Sequence, residues 1–260
     1  RYPQYKIYKI DVGLEGKSCF NVKEQKGPEE YETNTPSFKT FFRGLKGESL
    51  FVVGGAGDIS GMCLRILEQI RDKSKVVVLY IKPDIFMLNQ AKTKHEKVTY
   101  NVLQHYARSA AVNAVLLISN PQLESILGEV PIIGYHNRLN ELLVSTVHMI
   151  NVFKNSEPVM GGLTSISEES TRRIYTVGIF DIEKGEEKLF FPLDKVRNRG
   201  YIYSISKGKL QTENDLRKVI RDQMEEKSQD KNVKISFGIF PTDYDNDYGY
   251  LLAHSPNIQS

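Results

Sequence analysis

Gly54-Gly55-Ala56-Gly57-Asp58-Ile59-Ser60-Gly61 holds four glycines and a serine in eight residues. A turn of this kind brings several backbone N–H groups close to whatever lies above it, which is how a phosphate or another anion is held. The apolar run 50–53 precedes it, and 62–70 has helical character. The segment therefore reads as buried strand, glycine turn and helix, with the helix's positive end aimed at the turn. Asp58 and Ser60 are expected to cap that helix. The same pattern also serves as a tight strand-to-helix connection that binds nothing. A carboxylate at position 58 would repel a phosphate if it pointed into the loop, but does no harm as a cap. Gly57→Val is expected to damage folding through the tight turn.

Other chemistry-bearing residues give weaker patterns. His95, His105, His136 and His148 show no Ser-His-Asp order and no metal spacing. His95 and His105 are expected on one exposed helix, and His148 among apolar neighbours. Cys19 and Cys63 form neither a disulfide framework nor a metal site, and Cys63 falls on the apolar side of its helix. Gly16-Lys17-Ser18 lacks the upstream glycine of a phosphate-binding P-loop, because Asp11 stands there. The acidic stretch Asp243-Tyr244-Asp245-Asn246-Asp247 lacks the glycine and distal glutamate of a calcium loop and reads as a solvated turn. No catalytic residue and no metal ligand is assigned.

These residues sit on a chain of 260 residues, 40% hydrophobic and 26% charged, enough for one large domain or two modest ones. A net charge of +3 does not argue for nucleic acid. No apolar run has the length of a membrane span, no signal peptide is visible, and the cysteine usage points to a reducing cytoplasmic setting. The chain begins at Arg1, which points to sequence trimmed or processed ahead of it.

The elements alternate. A strand is expected over 5–13, then loops over 21–49 with a short helix around 38–42. The strand 50–53, the glycine turn and a helix to 71 follow. A central strand 76–81 ends at Pro83, a helix covers 94–108, and a strand 114–119 is broken at Asn120-Pro121. This is a doubly wound, mostly parallel α/β pattern, whose ligands lie beyond the carboxyl ends of the strands. The glycine turn, 84–89 and Asn120 all fall at that edge. A long helix 138–153 presents Leu139, Leu142, Leu143, Val147, Ile150 and Val152. The segment 155–170 reads as loop. Strands 174–181, 201–206, 233–240 and 248–253 with an amphipathic helix 213–227 make a smaller α+β domain with a mixed sheet. The division is 1–135, a central helix 136–155, and 156–260.

In this order the elements resemble the tubulin/FtsZ superfamily, nearest to phage or plasmid tubulin-like proteins. Residues 54–61 are similar to the family's GGGTGSG loop, with Ala56, Asp58 and Ile59 as departures. Residues 81–86 are similar to its Thr-Arg-Pro-Phe segment, and 117–120 to the strand whose Asn faces the ribose. Asn140-Glu141-Leu142-Leu143 is similar to the start of the central helix, whose carboxylate reads guanine. Residues 237–239 and 251–253 resemble the closing strands of FtsZ. The resemblance implies GTP or GDP at Gly54, Gly55, Ala56, Gly57, Ser60, Gly61, Asn120, Asn140 and Glu141.

The departures matter equally. Only Gly13-Leu14-Glu15-Gly16 stands where the family's first glycine loop belongs. The catalytic NxDxxD segment after the central helix reads Asn155-Ser156-Glu157-Pro158-Val159-Met160-Gly161-Gly162, with Glu157 as its sole acid. The resemblance therefore implies a structural or assembly protein with a degenerate site. It would pack against itself or another protein, with GTP hydrolysis lost and nucleotide absent or structural. It would work in the cytoplasm, that of an infected host cell included, or within a viral particle. The alternative is a polymer-forming GTPase with a remodelled site, using Glu157 or Glu168. An unrelated doubly wound enzyme has the least support. Fourteen tyrosines suit protein contacts.

Overall fold

The structure is a computed structural model that describes residues 5–163 and 173–260. Two short strands, β1 (Lys9–Asp11) and β2 (Cys19–Asn21), pair parallel and precede helix α1 (Pro28–Thr33). Strand β3 (Glu48–Gly54), a 3-10 turn (Asp58–Met62) and α2 (Cys63–Ile70) carry the glycine segment. Then come β4 (Lys75–Lys82), a 3-10 turn (Ile85–Met87), α3 (Gln90–Arg108), β5 (Ala114–Ser119), α4 (Asn120–Leu127) and the long α5 (Tyr135–Lys154). The rest comprises β6 (Met160–Gly162), β7 (Ile174–Phe180), β8 (Glu187–Leu189), β9 (Asn198–Ser206), α6 (Lys207–Thr212), α7 (Leu216–Lys227), β10 (Lys234–Thr242) and β11 (Tyr248–Ser255).

Nine strands form one sheet in the order β3-β4-β5-β7-β11-β9-β10-β6, with β8 on β7. β3, β4, β5 and β7 are parallel, as are β9 and β10, and β11 runs antiparallel between β7 and β9. The α/β expectation holds: a mostly parallel sheet, a long central helix and a mixed second half.

Apolar alternation assigns the faces. Val53, Val78, Tyr80, Val115 and Leu117 join a core with α2 and α3. Leu79, Leu116 and Ile118 face the other way, toward Leu139, Leu143, Ile150 and Phe153 of α5. Strands buried on both faces are near-continuously apolar, as β4 and β5 are. In α2, Cys63, Ile66, Leu67 and Ile70 fall on one helical stripe and are buried. Burial pushes the Cys63 thiol up to about 12, so it is a core residue rather than a nucleophile. A third cluster packs Leu216, Ile220 and Met224 of α7 on Tyr201 and Tyr203.

Several local expectations change. Residues 38–42 form turns rather than a helix, and Phe38 and Phe42 are buried among aromatic rings. The helix of that region is α1, with Pro28 in its first turn, where a missing N–H costs nothing. Asn120-Pro121 ends a strand but also starts α4, for the same reason. The first strand shrinks to Lys9–Asp11. Val152 of α5 is exposed. The 155–170 segment is not all loop: β6 pairs with β10, and Gly161 (φ +80) lies against the Phe237 carbonyl with no room for a Cβ. Residues 164–172, with Glu168, lie outside the described residues.

A buried polar contact joins β5 to β7, where the two halves meet. The Thr176 hydroxyl donates to the Leu117 carbonyl at 2.7 Å, fully buried. Thr176→Val keeps the shape and removes that bond, so it should cost about 1 kcal/mol of stability, read as a lower urea midpoint with an unchanged slope.

Candidate functional site

The parallel register sets the site. Val53, Tyr80 and Leu117 are level across three strands, as are Gly54, Ile81 and Ile118. Neighbouring strands lie about 4.8 Å apart, so the glycine turn, the segment after Lys82 and Asn120 leave the sheet within about 10 Å of one another. The start of α5 reaches the same edge. The Tyr135 hydroxyl donates to Glu124 of α4 at 2.8 Å. Burial, with the Glu124 and Asp84 carboxylates, pushes Tyr135 up to about 12.

The glycines of the turn divide into two kinds. None of the four has a positive φ. Gly55 and Gly61 are buried, and a Cβ at either would overlap the Tyr80 hydroxyl or the Pro28 carbonyl, respectively. Tyr80 is itself fixed, donating to the buried Glu96 carboxylate of α3 at 2.9 Å. Gly54 and Gly57 are exposed; nothing lies within 4 Å of a Cβ at Gly54, and one at Gly57 would meet the Gly54 carbonyl at an ordinary 3.8 Å. The expected damage from a side chain at Gly57 is thus misplaced: the tight positions are Gly55 and Gly61.

The polar groups divide likewise. The Gly55 N–H donates to Ile81 (3.0 Å), Gly57 N–H to Gly54 (3.4 Å) and Ser60 N–H to Gly57 (3.0 Å). Among the described residues, the N–H groups of Ala56, Asp58 and Ile59 meet no acceptor. Neither Asp58 nor Ser60 is a cap; the 3-10 turn starts at Gly57 without a side-chain bond, because it intervenes before α2. Asp58 instead pairs with Lys92 of α3 at 3.3 Å. The buried Ser60 hydroxyl donates to the Gly57 carbonyl and lies 3.2 Å from His95 Nε2. With the serine proton so engaged, the imidazole N–H is the donor, which is the reverse of an activated serine. His95, expected on an exposed helix face, is half-buried instead, unlike the exposed His105. Lys92 and Glu96 were not singled out in the sequence. The i, i+3, i+4 spacing of Lys92, His95 and Glu96 after the Asn89 cap was the available signal.

The remaining candidates are more dispersed. Asn120 is half-buried at the start of α4. Asn140 and Glu141 are exposed on α5, and Glu141 pairs with Arg138 at 3.4 Å. Glu157 is exposed ahead of β6. His148 accepts or donates at 3.0 Å to Tyr5. In the acidic loop Asp243 pairs with Lys207 and Asp247 with Lys209, and no metal-binding group occurs among the described residues. A cavity of about 730 Å³ lies by that loop and α6, in the other half of the chain.

A phosphate group fits part of this set. Three N–H groups are open to it, and Lys92 brings an ammonium whose resting partner is Asp58. Gly55 and Gly61 pack closely on Tyr80 and Pro28, and the buried Ser60 hydroxyl is bonded to the Gly57 carbonyl, so these three shape the turn.

No protein-family model and no curated protein matches the sequence. Solved structures do. TubZ of Bacillus thuringiensis serovar israelensis, in a GTPγS-form protofilament, aligns with a TM-score of 0.67 at 15% identity over 94% of this chain and 75% of its own. CetZ from Methanosaeta thermophila aligns at 0.63, with 14% identity over 93% and 72%. An empty FtsZ dimer of M. jannaschii aligns at 0.63, with 13% identity over 88% and 70%. At such identities the likeness is one of fold.

Two outcomes check the turn. Gly55→Ala and Gly61→Ala should each lose about 2 kcal/mol through overpacking, whereas Gly57→Ala should be neutral or gain about 0.5 kcal/mol, by urea denaturation. Burial holds the His95 imidazole below its usual range despite the pull of Glu32 and Asp58. The unfolded chain then binds the proton more readily, so stability falls as pH drops through the ordinary histidine range. His95→Gln should flatten that part of the pH profile, leaving the share of His148, which burial also lowers.

Proposed function

For a chain with the tubulin/FtsZ superfamily fold, we propose a structural or assembly role, exercised by packing against copies of itself or another protein, with GTP hydrolysis lost. The observation that carries this is at the carboxyl edge of the sheet. Phe86 and Met87, just after β4, are 96% and 83% exposed, and Ile132 and Ile133, just before α5, are 94% and 95% exposed. The Asp84 carboxylate, which borders the first pair, lies near enough to Tyr135, which borders the second, to help disfavour loss of its hydroxyl proton. Four large apolar side chains at one edge are a surface that water disfavours and a protein partner covers. The TubZ structures include protofilaments and two- and four-stranded filaments, which supports head-to-tail contact as the mode of packing. No helix among the described residues is long and apolar enough to cross a membrane.

The chemistry of the segment after α5 supports the loss of hydrolysis. Phosphoryl transfer depends on positioned charge and water. Between α5 and β6 the only acid is Glu157, and its spacing does not match the family's pattern. The second reading, a nucleotide-dependent polymer with a remodelled site, is favoured by the open N–H groups of Ala56, Asp58 and Ile59 beside Lys92. In that reading Asn120, Asn140 and Glu141 would serve the sugar and base.

The test has two arms. The protein, purified without nucleotide and denatured, should release no stoichiometric GDP, and GTP titrated onto it should turn over no faster than buffer. Bound GDP with turnover that falls sharply in Glu157→Ala would establish the second reading instead. Sedimentation should show self-association that Phe86→Glu with Ile132→Glu weakens by about 30-fold. A parent chain that stays monomeric with and without GTP would remove self-packing, leaving a different protein as the partner to seek.

A further inference from the structure

Residues 256–260, beyond β11, return across the sheet to the first half of the molecule. Gln259 is 2% exposed and Gln104 of α3 is fully buried. They bond reciprocally: the Gln259 backbone N–H donates to Gln104 Oε1 at 2.7 Å, and Gln104 Nε2 donates to the Gln259 carbonyl at 3.1 Å. The Gln259 side chain is read as fully. Its Oε1 accepts the Asp194 N–H at 2.7 Å, and its Nε2 donates to the Asn257 carbonyl at 2.8 Å and to Ser255 Oγ at 3.0 Å. An amide offers an acceptor and a donor on one planar group; a glutamate would place an acceptor where two acceptors already stand.

Two further features accompany these bonds. Lys195, next to Asp194, has φ +50, a left-handed conformation that a long side chain avoids unless its surroundings impose it. The Asp194 carbonyl before it takes the Ser255 hydroxyl at 2.7 Å. At the other end, the Ser260 carbonyl accepts Lys82 Nζ at 3.4 Å, and that ammonium lies 4.3 Å from the Tyr100 ring centre. Tyr100 lies 5.5 Å from Tyr80, the ring that limits Gly55, and Lys82 directly precedes the segment bearing Phe86 and Met87.

We propose that residues 256–260 act as a strap that fixes α3 and the end of β4, and thereby holds the 83–89 segment in the conformation it presents to a partner. The strap ties the second half of the chain to the helix that carries Lys92, His95 and Glu96. Its effect on packing rests on the assembly role proposed above; its effect on α3 and on 83–89 does not.

Hydrogen exchange by mass spectrometry on the full chain tests it. Gln259→Glu should speed exchange about tenfold in peptides covering 83–89 and 97–108, with α7 and β9–β10 unchanged. Lys82→Met, at a partly exposed position that keeps the aliphatic stem, should speed exchange over 83–89. Faster exchange confined to 256–260, or spread evenly over the chain, would overturn the proposal. If Gln259→Glu does not fold, unchanged exchange over 83–89 in Lys82→Met overturns it. Where the parent self-associates, Gln259→Glu should weaken association about tenfold. If Phe86→Glu with Ile132→Glu leaves association intact, the docking edge fails, and the exchange data alone decide the strap.

Discussion

Val53, Tyr80 and Leu117 stand side by side in adjacent parallel strands, and the hydrogen bonds that hold them level set where the glycine turn, the 83–89 segment and Asn120 leave the sheet. A parallel ladder requires each crossover to return the chain to the same edge, so β3, β4 and β5 deliver the glycine turn, the 83–89 segment and Asn120 together. The ladder continues through β7, where Val115 and Leu116 pair with Ile174 and Tyr175. Both halves thus share one sheet, and α5 packs its apolar face onto strands of both. The residues 256–260 add a second tie between the halves, made of the buried Gln104–Gln259 amide bonds together with Ile258 packed on the core of the first half.

The glycine turn shows why residue type alone does not define a ligand site. A glycine can be required for a left-handed backbone, for close approach of a ligand, or for close approach of the protein itself. In the segment 54–61 the first reason is absent. The third accounts for Gly55 and Gly61, against Tyr80 and Pro28. Only Gly54 and Gly57 leave outward space, and the open N–H groups of Ala56, Asp58 and Ile59 lie between the bonded ones of Gly55, Gly57 and Ser60. The turn is therefore half scaffold and half surface. Its polar side chains also have partners within the protein, since Asp58 pairs with Lys92 and the Ser60 hydroxyl donates to the Gly57 carbonyl.

The same edge combines this polar turn with exposed apolar groups. Phe86, Met87, Ile132 and Ile133 sit on short connections whose bases are fixed by Asp84, which accepts the Phe86 N–H, and by the Tyr135–Glu124 bond. Side chains held on braced connections lose less freedom when a partner covers them, which favours binding per unit of buried area.

How much was legible in the sequence follows from the range of the forces involved. Apolar periodicity is local, and it placed β3, β4, β5, α5, α7 and the last two strands; their order sufficed for the tubulin/FtsZ resemblance. Helices whose formation depends on partners were missed: α1 packs on the 3-10 turn at Asp58–Met62, and α4 starts where Asn120-Pro121 read only as a break. The capping role given to Asp58 and Ser60 failed because Lys92 and His95, more than thirty residues away, offer them other partners. Alone, then, the sequence determined the alternation of elements and the edge at which function could lie, because both follow from spacing along the chain. Only the tertiary structure decided which glycines face the protein and which face outward, which N–H groups remain open, and that Gln104 meets Gln259, because those depend on contacts between segments that no local pattern encodes.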